Sequence, residues 1–220
     1  MTAATTGTRI SAALAEVRDP ELDEPITTLG FVASAVVSDD GTAEVHLRLP
    51  TYFCAPNFAY LMVADAYDQV AALGLRPTVI LDDHFASDAI NEGVAARAGF
   101  VGSFGEEAAD ELDSLRADFL RKAVMAGTDV VCRPLAGSPL AGMTLGDVPR
   151  SPALDRLRRR RRELGLSWAI DAPLLIDPLS GEAIEPDDVP LHLRKARLTR
   201  TSLDANTSIC RGMLQHRYPS

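Results

Sequence analysis

One stretch limits the fold of this chain more than any other. Ala43, Val45, Leu47 and Leu49 alternate strictly with Glu44, His46 and Arg48, the period-two pattern of a strand with one face buried. Just before it stands Asp39-Asp40-Gly41, a hairpin signal, preceded by the β-rich run Phe31 to Ser38. Two antiparallel strands with one apolar face are therefore expected, and that face calls for a second layer.

Helical patterns flank the hairpin. Ile10, Ala13, Leu14 and Val17 recur at helical spacing until Asp19-Pro20, where the residue before proline avoids the helical region. Pro25 and Gly30 frame a turn. Beyond the second strand, Thr51-Tyr-Phe-Cys-Ala-Pro56 leads into a helix with apolar Phe58, Leu61, Met62, Ala66 and Val70. Pro56 suits its first turn and Gly74 its C-terminal end. Pro77 to Leu81 follows as a third strand, joined to the second by a right-handed crossover if the two lie parallel. The order α-β-β-α-β predicts a small two-layer domain over residues 9–86, and the chain as a whole reads as α+β.

From Ser87 onward helices punctuated by Gly and Pro take over. Ser103-x-x-Glu106 reads as a capping box that opens a long helix through Leu112, Leu115, Phe119 and Ala123, closed by Gly127. Ser151-Pro152 opens another, with Leu154, Leu157 and Leu164 inside and Gly165 at its end. Asp171 to Pro190 reads as a loop or short β excursion, and Leu203 to Leu214 as a final helix. Residues 87–220 are thus expected to be a mainly helical extension packed on the first domain.

The formal net charge of −9 repels phosphate backbones and anionic headgroups, so neither nucleic acid nor membrane is expected as a partner. No apolar run approaches the ~20 residues that cross a bilayer, and the N-terminus lacks the pattern of a secretory signal. A cytoplasmic location is expected. In that reducing compartment Cys54, Cys132 and Cys210 read as free thiols, core residues or metal ligands rather than disulfide partners. No P-loop, G-x-S-x-G or G-x-G-x-x-G is present, which leaves the common nucleotide and hydrolase sites without support.

Cys54 sits where a strand ends and a helix begins, and a helix N-terminus favours a thiolate over a thiol. It reads either as a metal ligand or sulfur nucleophile, or as a small buried apolar residue. Asp19 and Glu21 flank Pro20 on a turn rich in carboxylates, suited to a hard cation or to capping backbone amides. Asp82-Asp83-His84 follows the third strand and reaches the same end of the sheet, where a mixed imidazole, carboxylate and thiolate set suits iron or zinc. A solvated loop is the other reading. A cysteine nucleophile needs a base within about 3 Å, for which His84 is the candidate. His46 reads as an exposed sheet histidine, and Arg158 to Arg162 as a mostly solvated helix face suited to an acidic partner. Cys132 and Cys210 read as core.

The order Val17-Arg-Asp-Pro-Glu-Leu22, Ile26-Thr-Thr-Leu-Gly-Phe-Val32, a hairpin, then Leu49-Pro-Thr-Tyr-Phe-Cys54-Ala-Pro56 and a helix resembles the small iron-sulfur cluster assembly domain of the SufT and PaaD proteins. In that resemblance Asp19 and Glu21 match the acidic turn, Thr51 the threonine and Cys54 the reactive cysteine. Ala55 stands between the cysteine and the proline that usually follows it directly, and Asp82-Asp83-His84-Phe85 replaces a Pro-Trp. The resemblance implies a maturation factor rather than an enzyme, handling iron or an iron-sulfur cluster transiently at Cys54 in a pocket shaped by Asp19, Glu21 and Thr51. The second half is similar to the extension of longer actinobacterial members associated with di-iron monooxygenases, which implies a client metalloenzyme such as an oxygenase component. Other assembly proteins are further partners. One reactive cysteine per chain implies that a homodimer, or chain plus client, completes the ligand set. The alternative is a metal-free adaptor or folding helper in which Cys54 merely packs.

Overall fold

A computed structural model describes residues 3–219. In chain order its elements are α1 (Ala3–Leu14), α2 (Ile26–Leu29), β1 (Val32–Val37), β2 (Thr42–Leu47), α3 (Pro56–Ala71) and β3 (Arg76–Leu81). They are followed by α4 (Ser87–Ala95), α5 (Gly99–Phe104), α6 (Asp113–Cys132), α7 (Pro152–Glu163) and α8 (Val189–Arg217). The result is α+β. The chain divides into two compact units, Met1–Ser114 with Asn206–Ser220, and Leu115–Ala205. That division differs from a boundary at 86/87: α4, α5 and the last turns of α8 belong to the first unit.

In the first unit the sheet order is β1-β2-β3, with β1 antiparallel to β2 and β2 parallel to β3. The alternation in β2 has the expected effect. Ala43, Val45 and Leu47 are buried, and the intervening Glu44 and His46 are not. Gly41 takes a φ of +83° in the hairpin turn, a conformation that suits a residue without a Cβ. The apolar face is covered by Ile10, Leu14 and Val17 at the N-terminus and by Ala59, Val63, Ala66 and Val70 of α3, spaced to share one helix face. β1 is an edge strand and largely exposed, with Val36 at its outer side.

Residues 87–220 depart from expectation in three places. No helix opens at Ser103: Gly105 has a φ of +57°, and α6 begins at Asp113 and runs through Gly127. Gly127 is not a terminator but an interior residue of α6. A Cβ there would meet Leu157 Cδ1 of α7 at 3.4 Å, an ordinary van der Waals contact. The arginine run is the second departure. α7 starts as expected, with the Ser151 hydroxyl accepting from Leu154 N–H at 3.2 Å, but Arg160 and Arg161 are buried rather than solvated. Arg161 donates to the carbonyls of Pro173 at 2.7 Å and Leu174 at 2.5 Å. It thereby holds the irregular segment before α8 against the core of Val124, Val131, Leu154 and Leu157. Burial pulls its pKa down to about 10. The final helix is also much longer than Leu203 to Leu214.

Candidate functional site

The strand-to-helix junction after β2 is the centre of the first unit's chemistry. Pro56 occupies the first turn of α3, and Ala55 at the N-cap offers no side-chain oxygen to the helix N–H groups. Cys54 is half-buried and packs against the edge of the unit's apolar core. Its Sγ lies 3.4 Å from the Thr51 hydroxyl, a weak hydrogen bond in which either atom can donate. The sulfur is therefore neither sealed among aliphatic side chains nor fully open to solvent.

Asp19 is buried, and its Oδ1 accepts from the N–H groups of Glu21 and Leu22, both at 2.9 Å. The carboxylate thus caps its own turn. Burial pushes its pKa up to about 6 against the lowering effect of those two amides. Glu21 is half-buried, and its Oε1 accepts from Asn206 Nδ2 at 3.4 Å.

His84 serves a different end from a ligand or base. It is buried, and its Nε2 donates to the Cys54 carbonyl at 2.7 Å while its Nδ1 accepts from Ala86 N–H at 3.1 Å. Both ring nitrogens are thereby committed to backbone, which fixes the neutral tautomer. Burial holds its pKa below the ordinary histidine range. A ring with no spare lone pair cannot take a proton from Cys54 or bind a metal, so His84 positions the Cys54 loop. Among the described residues no three His, Cys, Asp or Glu side chains converge to hold a metal ion. His84 holds the Cys54 carbonyl, Asp19 caps its own turn and Glu21 meets Asn206, and together with Cys54 they form no closed ligand set.

Two features escaped sequence reasoning. Tyr52, Phe53 and Phe85 form an exposed aromatic cluster on the rim of the Cys54 loop, with centroid separations of 5.0 Å for Tyr52–Phe53 and 5.9 Å for Phe53–Phe85. A groove of about 740 Å³ continues from it, lined in part by Ala55, Pro56, Phe100, Phe104 and Leu112. Tyr52 and Phe53, directly before the cysteine, were the available signal, since apolar side chains in a short loop have nowhere to bury. The other feature is Cys210, which is half-buried against the first unit's core rather than within the extension. The thiol is pushed up to about 11 by burial and by the charges of Asp19, Cys54 and Glu21. His46 is also not simply exposed: its Nδ1 meets Asp82 at 3.0 Å and its Nε2 meets Glu44 at 3.2 Å.

A two-layer α/β domain with a half-exposed cysteine at the head of a crossover helix is the class of protein these features define. Residues 8–79 match the family model described as iron-sulfur cluster assembly protein. No curated protein and no solved structure matches the chain. Over this segment, less than half of the chain, the protein is similar to iron-sulfur cluster assembly proteins. No helix among the described residues is long and apolar enough to cross a membrane.

Proposed function

We infer that the chain is an accessory maturation factor for an iron-dependent enzyme. Cys54 takes up iron or an iron-sulfur cluster as cargo and gives it up again, and the protein performs no reaction of its own on a small substrate. The observation that carries this reading is the placement of Cys54 within the family-matching segment: a half-buried thiol, hydrogen-bonded to Thr51, two residues before the first residue of α3. A site with few protein ligands suits transient handling, because a closed four-ligand site binds its metal tightly and releases it reluctantly. The remaining ligands then come from the acceptor or from a second copy of the chain. Asp19 shapes the rim through the backbone, Glu21 lends it charge, and His84 keeps the Cys54 carbonyl in place.

The client docks beside the thiol. The exposed Tyr52, Phe53 and Phe85 cluster suits the apolar centre of a protein interface. In the second unit, Arg158 and Arg162 lie over the exposed Trp168 ring at 5.6 Å each, a surface suited to an acidic segment of a partner. A di-iron monooxygenase component is the client class the C-terminal extension suggests, and the cytoplasm is the compartment in which such a thiol stays reduced.

Anaerobic reconstitution with iron and sulfide tests the reading. Wild type is expected to retain iron through desalting and Cys54→Ser to lose most of it. Equal retention by the two would overturn the metal-handling role. The absence of a converging three-ligand group among the described residues favours a second reading, a metal-free adaptor. Unchanged client maturation by Cys54→Ser, together with loss on Phe53→Ser, is the outcome that would select it.

A further inference from the structure

The groove beside the Cys54 loop has an apolar wall that folding leaves half-covered. Its lining comes from the heads of α3 and α4, from α5 and from the loop that runs on to Leu112. Phe100 stands edge-on to Tyr60 with ring centroids 5.4 Å apart, and Phe104 lies 4.7 Å from Phe100. The wall is thus a fixed stack of rings, set before any partner arrives. Toward Cys54 the groove meets Phe85 and, through it, the exposed Tyr52 and Phe53.

Polar groups inside the groove already serve the local backbone. Asn57 Oδ1 accepts from the Phe58 N–H at 2.9 Å, and the Ser103 hydroxyl donates to the Gly99 carbonyl at 2.6 Å. A small ligand is held by a few polar groups converging on it, and these two point their hydrogen bonds elsewhere. None of the lining residues belongs to β1, β2 or β3, so the groove offers an extended peptide no strand edge to pair with. An apolar trough between helix heads suits the apolar face of a helix.

The sign of the charge around it narrows the partner further. Residues 98–115 carry Glu106, Glu107, Asp110, Glu111 and Asp113 and no Lys or Arg. The Glu111 carboxylate accepts from the N–H groups of Phe100 at 2.9 Å and Val101 at 3.2 Å and so caps α5. Glu106, Glu107, Asp110 and Asp113 are exposed, and Glu107 itself lines the groove. The first unit as a whole carries 19 Asp and Glu against seven Arg and no Lys. Such a lip attracts a cationic segment and repels an acidic one.

We propose that the groove from Phe85 to Leu112 receives an amphipathic helix of the client, with apolar anchors at i, i+3 or i+4 and i+7 and with Lys and Arg on both flanks. This rests on the reading of the chain as a maturation factor and names the chemistry by which its client is recognised. Ala55 lines the groove directly beside Cys54, so a helix seated there brings the client to the thiol.

The test is fluorescence anisotropy of a labelled synthetic peptide of about 15 residues, made of Leu and Lys with the leucines on one helical face, titrated with the full-length chain. Saturable binding is expected, weakening about tenfold between about 50 mM and about 500 mM salt. A peptide of the same composition with its leucines spread around the helix should bind about tenfold more weakly, and a Leu and Glu peptide of the first pattern should not bind. Glu107→Lys and Ala109→Trp alter exposed groove positions and should each weaken binding about tenfold, while Asp39→Lys, the same charge change on the exposed β1–β2 turn, should match wild type. Equal binding of the two Leu and Lys peptides, or an equal loss with Asp39→Lys, would show diffuse charge attraction and overturn the groove assignment. A dimer in sedimentation that Ala109→Trp dissociates would overturn it in favour of a second copy of the chain. Cys54→Ser should bind the peptide as wild type does, and Glu107→Lys should retain iron on reconstitution, so failure of docking and failure of iron handling are separate results.

Discussion

In the first unit the buried His84 is tied at both ring nitrogens to backbone, to the Cys54 carbonyl and the Ala86 amide. In the second unit His192 is also buried, yet its Nε2 meets no partner among the described residues. The cysteines differ in parallel. Cys54 sits half-exposed beside a hydroxyl, whereas Cys132 lies within an aliphatic core that pushes its thiol up to about 11. Buried polar groups in the first unit hold a loop so that a sulfur stays at the surface. In the second unit they act as interior struts, Arg161 above all, and leave no reactive group at a rim. Burial of a polar group therefore signals a site only when its partners belong to the segment carrying the reactive atom.

The contrast is most sharply broken at Arg161. Arg161→Ala leaves the carbonyls of Pro173 and Leu174 without their donor and opens a cavity, for an expected loss of about 3–4 kcal/mol in urea unfolding. Arg161→Met, which keeps most of the volume, should cost less. Alkylation of Cys54 in folded Arg161→Ala should be unchanged, and an altered rate would mean that the strut also serves the first unit. His84→Ala is expected to cost about 2 kcal/mol and to speed Cys54 alkylation, because the Cys54 carbonyl loses its anchor. Unaltered alkylation would show that the loop holds its shape without the imidazole.

Asp19→Ala should cost about 1 kcal/mol and Asp19→Asn less, since an amide oxygen still accepts the two backbone N–H groups. Equal losses would mean that the charge, and not the cap, matters at this turn. The smallest effects are those of pH. Burial depresses the folded-state pKa of His84 and His192, so the unfolded chain takes up protons first. Their contribution is present above about pH 6.5 and is lost as pH falls through the depressed values. His46 runs the other way: the Asp82 hydrogen bond raises its pKa, so its contribution is full below about pH 6.5 and is lost as pH rises through the raised value. Urea midpoints of His84→Gln and His46→Gln, compared with wild type across this range, should show opposite pH trends. Trends of the same sign would undo the assignment.

Several elements were legible from local pattern alone. The β2 alternation, the hairpin at Gly41, Pro56 at the start of α3 and Ser151-Pro152 at the start of α7 all occur where expected. Each depends on side-chain periodicity or backbone preference within a few residues. Gly127 and Ser103 misled because local pattern does not settle their roles. A glycine in a helix can mark an end or lie in the interior, and α6 continues through Gly127 to Cys132. The same applies to the arginine run, where a polar sequence gave no hint that two carbonyls twelve and thirteen residues on would draw Arg161 inward.

Sequence alone determined the α/β core, its order, the acidic turn and the cysteine at the helix head, because these follow from local periodicity, capping and turn chemistry. Tertiary structure alone decided that His84 anchors a carbonyl, that the aromatics beside Cys54 stay exposed, and that Cys210 returns to the same unit as Cys54. Those outcomes depend on contacts between residues 30 to more than 150 positions apart, which no local preference encodes.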